Sequence, residues 1–215
     1  MMLRRTLDDR FSAMPWDEID AVVFDIGNVL LRFDPQEILD TYLPEQKKLH
    51  PELLKRVFRS PYWVMLDRGS ATIDEAIDAM SSGRDDLKPL IRTALTGWYD
   101  LPWIDEGINV LKTCKSHCKK VYALSNYPAA GIAYIWEKAE FFRLFDGRVI
   151  SSSIGLVKPG RSIYDYLIDQ FSLNPARTLF IDDTPANIEG ALDAGWQGIC
   201  YNAAGKLQSF FEGEG

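Results

Sequence analysis

Five short, almost uninterrupted apolar runs punctuate the chain: Ala21-Val22-Val23-Phe24, Lys120-Val121-Tyr122-Ala123-Leu124, Arg148-Val149-Ile150, Thr178-Leu179-Phe180-Ile181 and Gly198-Ile199-Cys200-Tyr201. Continuous apolar runs, rather than strict alternation, predict parallel strands covered on both faces. Between the later runs the period becomes helical. Asp105 is expected to cap a helix with Ile108, Leu111, Cys114 and Cys118 on one face, and Ile163, Tyr164, Leu167, Ile168 and Phe171 keep a second in phase. Thr184-Pro185 opens a third helix that Gly195 ends. Strands alternating with helices predict a right-handed α/β sheet.

The interval between the first and second runs breaks this rhythm, because it holds four helical patterns and no strand. Asp34-Pro35 opens one, with Ile38, Leu39 and Tyr42. Pro51 opens another, with Leu53, Leu54, Val57 and Phe58. Thr72 and Glu75 form a capping box ahead of Ile73, Ala76, Ile77 and Met80, and Leu87, Leu90, Ile91, Ala94, Leu95 and Trp98 mark the fourth. The expected organisation is an α/β core of residues 1–32 and 101–215 with a helical-bundle cap, residues 33–100, inserted after the first strand. Such a cap would sit above the carboxyl ends of the strands, where open α/β sheets bind their ligands.

Composition narrows the partners. With 215 residues, 47% of them hydrophobic, the chain is long and apolar enough for a substantial core. Its 24 Lys+Arg against 31 Asp+Glu leave a net charge of −7 without a basic run, which argues against nucleic acid but leaves room for a small anion. No segment approaches the roughly 20 apolar residues of a membrane span. The opening MMLRRTLDDRFSAMPWDEID lacks the apolar region of a secretory signal, and three cysteines, an odd number, fit a reducing compartment, so a cytoplasmic protein is expected. Cys114 and Cys118, with His117 between them, read as half-buried helix residues rather than a metal corner. Whether the chain is a monomer or a homodimer is open at this point.

Candidate chemistry gathers at strand ends. Asp25 follows the first strand, ahead of Gly27; Ser125-Asn126 ends the second; Lys158 lies in the proline-stiffened segment Gly155-Leu156-Val157-Lys158-Pro159; and Asp182-Asp183 ends the fourth. Each has an ordinary structural counterpart: a turn, a solvated lysine, or a charge complement to a helix N-terminus. Adjacent carboxylates repel, however, and a bound cation is the simplest relief. Their order along one sheet edge makes them a set.

FDIGNVL, ALSN, GLVKPGRSIY and FIDDTPANIEGA, with Ser125 100 residues after Asp25, Lys158 33 further on and Asp182 another 24, resemble the four motifs of the haloacid dehalogenase-like hydrolase superfamily. The resemblance runs from about residue 20 to residue 202. It implies a Rossmann-like parallel core with an α-helical cap. It also implies a Mg²⁺-dependent phosphatase in which Asp25 attacks phosphorus and forms an aspartyl-phosphate. Ser125 and the backbone around Asn126 would hold the phosphoryl group, and Lys158 would offset the charge of the attacking carboxylate. Asp25, the Gly27 carbonyl and Asp183 would hold Mg²⁺, with Asp182 beside them or acting through water and Asn187 orienting one of those waters. Members with an FDxGNV motif suggest a small phosphate ester, a sugar phosphate among them, as substrate. Tyr62–Gly69 resembles the cap's substrate-facing element, with Trp63, Asp67 and Arg68 as contacts, while Arg161 either reaches an anionic substrate or lies on the surface.

Residue 27 departs from the pattern. Typical phosphatases of the family carry an aspartate there that protonates the leaving alcohol and then activates water. Asp34 and Asp67 are the candidates to replace it, Asp34 also being placed to cap a helix. The departure keeps a weak or non-catalytic phosphometabolite-binding protein as one alternative. A 2-haloacid dehalogenase is the other, although such enzymes work without metal and lack the carboxylate pair of the fourth motif.

Overall fold

The computed structural model describes residues 15–117, 119–201 and 207–212; Cys118, the opening segment and the final three residues lie outside these. Strands β1 (Ala21–Phe24), β2 (Lys120–Ser125), β3 (Gly147–Ile150), β4 (Thr178–Asp182) and β5 (Gln197–Cys200) form one sheet in the order β3-β2-β1-β4-β5, every pairing parallel. The continuous apolar runs are explained by cover on both faces. Val22 and Phe24, Val121 and Ala123, and Leu179 and Ile181 enter one apolar layer, whereas Ala21 and Val23, Tyr122 and Leu124, and Phe180 enter the opposite one.

Helices α6 (Asp105–Ser116), α7 (Ala129–Lys138), α8 (Ser151–Ile154), α9 (Arg161–Phe171), α10 (Pro185–Asp193) and α11 (Leu207–Glu212) accompany the strands. Two of the expected caps differ in detail. Asp105 is the first helical residue of α6 and the cap position belongs to Ile104, whose N–H is held by the Leu30 carbonyl at 2.9 Å; that bond, not a side chain, sets where the helix begins. Thr184 does occupy the cap position of α10, but its hydroxyl donates to the Asp183 carboxylate (3.3 Å) instead of accepting from the helix. The periodic pattern does not announce α7, because its Ala-Ala-Gly opening contributes little apolar contrast.

Between β1 and β2 lie α1 (Pro35–Tyr42), α2 (His50–Leu53), which runs on into a π-helical turn at Leu54–Phe58, α3 (Pro61–Arg68), α4 (Ile73–Met80) and α5 (Lys88–Thr96). The sequence pattern predicts four of these and misses α3 as a separate helix, since its buried face shrinks to Leu66. Asp34 caps α1 by accepting from the Gln36 and Glu37 amides, and the Thr72–Glu75 capping box is complete. These helices share an apolar centre of their own, including Leu39, Leu53, Val57, Leu66, Ile77 and Ile91. Burying each such side chain stabilises the bundle by about 1.5–3 kcal/mol. The chain leaves and re-enters the sheet layer side by side, with the Arg32 amide donating to the Pro102 carbonyl at 3.0 Å. No helix among the described residues is long and apolar enough to cross a membrane.

Candidate active site

The three central strands bring their carboxyl ends level. β1 pairs Phe24 with Ala123 on one side and Ile181 on the other, and the Asp25 amide extends the ladder to the Ile181 carbonyl at 2.9 Å. Asp25, Ser125 and Asp182 therefore converge from neighbouring strands.

Lys158 joins them from the loop before α9. Asn126 holds that loop, donating to the Lys158 carbonyl (3.0 Å) and accepting from the Lys158 amide (2.9 Å). The Asn126 side chain is thus used to place the lysine. The ammonium donates to Asp182 Oδ2 (2.6 Å), Asp25 Oδ1 (2.9 Å) and the Leu124 carbonyl (3.1 Å), which accounts for all three of its protons. Lys158 and Asp182 are almost wholly shielded from solvent and Asp25 is 10% exposed. Burial alone would lower the Lys158 pKa, but Asp25 and Asp182 together hold it above the ordinary value. Burial pushes the Asp25 carboxyl up, against the Lys158 charge and a hydrogen bond from Ser125.

Asp182 has few acceptor positions left. Besides Lys158, it accepts from the Asn187 side-chain amide on both oxygens (3.0 and 3.1 Å) and from the Thr184 amide (2.8 Å). Asn187, expected to orient a metal-bound water, instead braces this carboxylate. Asp183 is more open: it accepts from the Asn28 side-chain amide at 3.1 Å, and burial raises its pKa. Asn28 adopts a left-handed φ of 51°, a conformation Asn tolerates, and its Oδ1 accepts from the Phe33 amide at 2.8 Å. The sequence pattern gives no role to Asn28; its place after a glycine in the first motif is the signal that could have found it.

Above this floor, a cleft of about 220 Å³ is lined by Asp25, Gly27, Asn28, Ser125, Lys158 and Asp183 below, and by Leu31, Phe33, Trp63, Asp67, Trp98 and Tyr127 above. Burial pushes the Asp67 carboxyl up to about 7, tempered by the Lys158 charge and a hydrogen bond from the Trp63 indole. Tyr127 is buried with a hydroxyl that has no partner among the described residues. Trp63 thus reaches the cleft, whereas Arg68 is exposed and does not line it. Arg161 lies on the surface, bonded to Asp165 and to the Asp193 carbonyl. His50 is a buried strut bonded to the Leu43 carbonyl, and Cys114 is buried in the apolar layer.

The donor set suits a hard cation. Carboxylate oxygens of Asp25, Asp182 and Asp183 lie within 4.8 Å of one another. With Asp182 largely saturated, Asp25 and Asp183 are the carboxylates with capacity to spare, and Gly27 offers a backbone carbonyl beside them. Oxygen-only ligation with open positions for water fits Mg²⁺.

Known proteins share this organisation. The chain is 23% identical over 194 residues to drimenol cyclase drtB of Aspergillus calidoustus, a match that covers 88% of this chain but 35% of that protein. It is 27% identical over 184 residues to sesquiterpene phosphatase astK of Aspergillus oryzae, covering 83% of this chain and 88% of the relative. The fold is similar to that of a haloacid dehalogenase family enzyme, bt-2542 of Bacteroides thetaiotaomicron, solved as an Asp12Ala mutant with magnesium and inorganic phosphate. That likeness has a TM-score of 0.68 at 18% identity and covers 86% of this chain and 95% of the other. The family model described as haloacid dehalogenase-like hydrolase matches residues 19–195, and with four motifs meeting at one sheet edge the chain belongs to the haloacid dehalogenase-like hydrolases.

Proposed function

We propose that this hydrolase is a Mg²⁺-dependent phosphatase of small phosphorylated metabolites, sugar phosphates among them, acting through an aspartyl-phosphate on Asp25. The observation that carries this is the buried carboxylate–ammonium–carboxylate arrangement of Asp25, Lys158 and Asp182, opening onto a cleft that also holds Asp183. Asp25 is the nucleophile. Lys158 lies 2.9 Å from its Oδ1 and offsets the repulsion between the attacking carboxylate and the phosphoryl oxygens. Ser125 and the Tyr127 hydroxyl, which line the cleft, would meet those oxygens, and Asp182 would fix the lysine. Asp25, Asp183 and the Gly27 carbonyl would hold Mg²⁺. Bound there, the ion would neutralise phosphoryl charge and help to align the group for displacement.

In this reading residues 33–100 form the cap, residues 1–32 and 101–215 the catalytic core, and the cap determines which alcohol is released. The cysteine content supports a cytoplasmic setting. The upper wall favours a second reading of the substrate: Leu31, Phe33, Trp63, Trp98 and Tyr127 suit a phosphate ester whose alcohol has an apolar or flat face, and the relatedness to a sesquiterpene phosphatase is in keeping with this. The test is a panel of sugar, alkyl, prenyl and aryl phosphates together with 2-haloacids, assayed with Mg²⁺ and with EDTA. Phosphate release that needs Mg²⁺ and vanishes in Asp25→Asn is expected. Halide release without metal, or phosphate binding without any turnover, would overturn the phosphatase reading.

A further inference from the structure

We infer that Asp67, carried by α3 of the helical insertion, is the proton donor and acceptor of this chain, taking the role that Gly27 leaves empty. The inference rests on the phosphatase reading above and adds to it a catalytic residue from outside the four motifs.

Four observations lead to it. First, nothing in the fold demands glycine at residue 27: a Cβ built there meets no atom within 4 Å, and Gly27 is not among the residues with positive φ. The missing side chain is a chemical gap over the reacting centre, not a packing requirement. Second, the carboxylates that line the cleft are Asp25, Asp67 and Asp183. Asp25 is bound to Lys158, and Asp183 accepts from Asn28 and Thr184. Asp67 lines the same cleft from α3, outside the strand ends that carry the other two. Asp34, the other sequence candidate, is occupied in capping α1.

Third, Asp67 is fastened to the core. Its backbone carbonyl accepts from the Ser151 hydroxyl, and the same oxygen of Ser151 accepts from the Tyr127 amide at 3.0 Å. One residue past the end of α3, Gly69 has a φ of 73°, and a Cβ there would lie 2.3 Å from the Ser152 carbonyl oxygen. The chain on either side of this contact is thereby drawn onto the strand-end loops. Fourth, the Trp63 indole lines the cleft with Asp67 and, with the Lys158 charge, offsets part of the effect of burial on its carboxyl. The charged or titratable groups that face it are Lys158 and the Tyr127 hydroxyl. Burial among rings favours the protonated acid, as a proton donor near neutral pH requires.

The step balances. As the Asp25 oxygen bonds to phosphorus and the bond from phosphorus to the ester oxygen breaks, Asp67 gives its proton to that oxygen and an alcohol departs. The resulting Asp67 carboxylate then takes a proton from water as the water attacks the aspartyl-phosphate. Asp25 regains its carboxylate, inorganic phosphate leaves, and Asp67 is again an acid.

The test compares wild type, Asp67→Asn and the double variant Gly27→Asp/Asp67→Asn on an alkyl phosphate and on p-nitrophenyl phosphate, with trapping of phosphorylated Asp25 by mass spectrometry. Asp67→Asn should lower turnover of the alkyl ester about 10²- to 10⁴-fold. Attack on p-nitrophenyl phosphate, whose leaving group needs little protonation, should survive, so phosphorylated Asp25 accumulates. The double variant, with a carboxyl restored where space exists, should recover at least about tenfold. Equal losses on both esters without trapped Asp25, or no loss at all, overturn the inference while leaving the phosphatase reading intact. A folded wild type that hydrolyses neither ester, nor any in the wider panel, overturns both.

Discussion

The floor and the roof of the cleft are built on opposite principles. On the floor, buried charges answer one another: Lys158 uses three donors on Asp25, Asp182 and Leu124, and Asp182 accepts in turn from Asn187 and Thr184. On the roof, rings of Phe33, Trp63 and Trp98 pack within about 5–6 Å of one another around a lone carboxyl, Asp67. A mutually compensated network holds charge at a fixed place, as the proposed phosphoryl transfer would need. An apolar wall with one acid would adapt to the alcohol in that reading while still moving a proton. The floor comes from the ends of three adjacent strands and the loop before α9, and the roof from the seam between the sheet layer and the helical insertion, Phe33 and Trp98 packing with the former and Trp63 with both.

That contrast can be broken most severely at Asp25, the proposed nucleophile. Asp25→Asn should cut phosphate release on the order of 10⁶-fold, the scale of losing a nucleophile, while a thermal melt shows the fold retained. Next comes the ion cluster. Lys158→Met leaves Asp25 and Asp182 buried without a counter-charge and should cost about 3–5 kcal/mol, read by urea unfolding; no loss of stability would mean that the floor is not a mutually compensated network. A smaller effect is expected where roof meets floor. Gly69→Ala places a methyl against the Ser152 carbonyl in a left-handed backbone, at about 1–2 kcal/mol, and should reduce turnover while the near-ultraviolet signal of the core persists.

A further effect is in pH dependence. The Asp67 carboxyl, raised by burial from an ordinary 3.8 to about 7, holds a proton in the folded chain that the unfolded chain has already released. Its contribution to stability therefore falls as pH rises from about 4 to about 7. Asp67→Asn removes this dependence, so in EDTA the melting temperature of the variant should gain on wild type across that window and level off above it. A constant difference would place the carboxyl in water rather than under the rings.

Much of the floor was legible along the chain. Unbroken apolar runs marked the strands to within a residue or so, and a polar residue directly after such a run can only emerge at the sheet edge. The roof was less legible for a physical reason. Helix α3 buries little beyond Leu66, so its period is faint, and whether Trp63, Asp67 or Arg68 faces the cleft depends on rotation about the helix axis. The structure turns Trp63 and Asp67 inward and leaves Arg68 in solvent. Local spacing likewise could not reveal that Asn126 clamps the Lys158 main chain or that Asn187 braces Asp182, because these bonds join residues from different elements.

By itself the sequence determined the parallel sheet, the helical insertion after β1 and the order of acidic, hydroxyl and ammonium groups at the strand ends. Those features follow from local period and from the rule that each strand of a parallel sheet delivers its last residue to the same edge. Tertiary structure decided the arrangement: which carboxylates Lys158 binds, which has acceptor positions left, and which acid of the insertion lines the cleft with Asp25. Such assignments depend on distances of a few ångströms between segments from different elements, and those distances exist only once the two sheet layers and the centre of the insertion have packed.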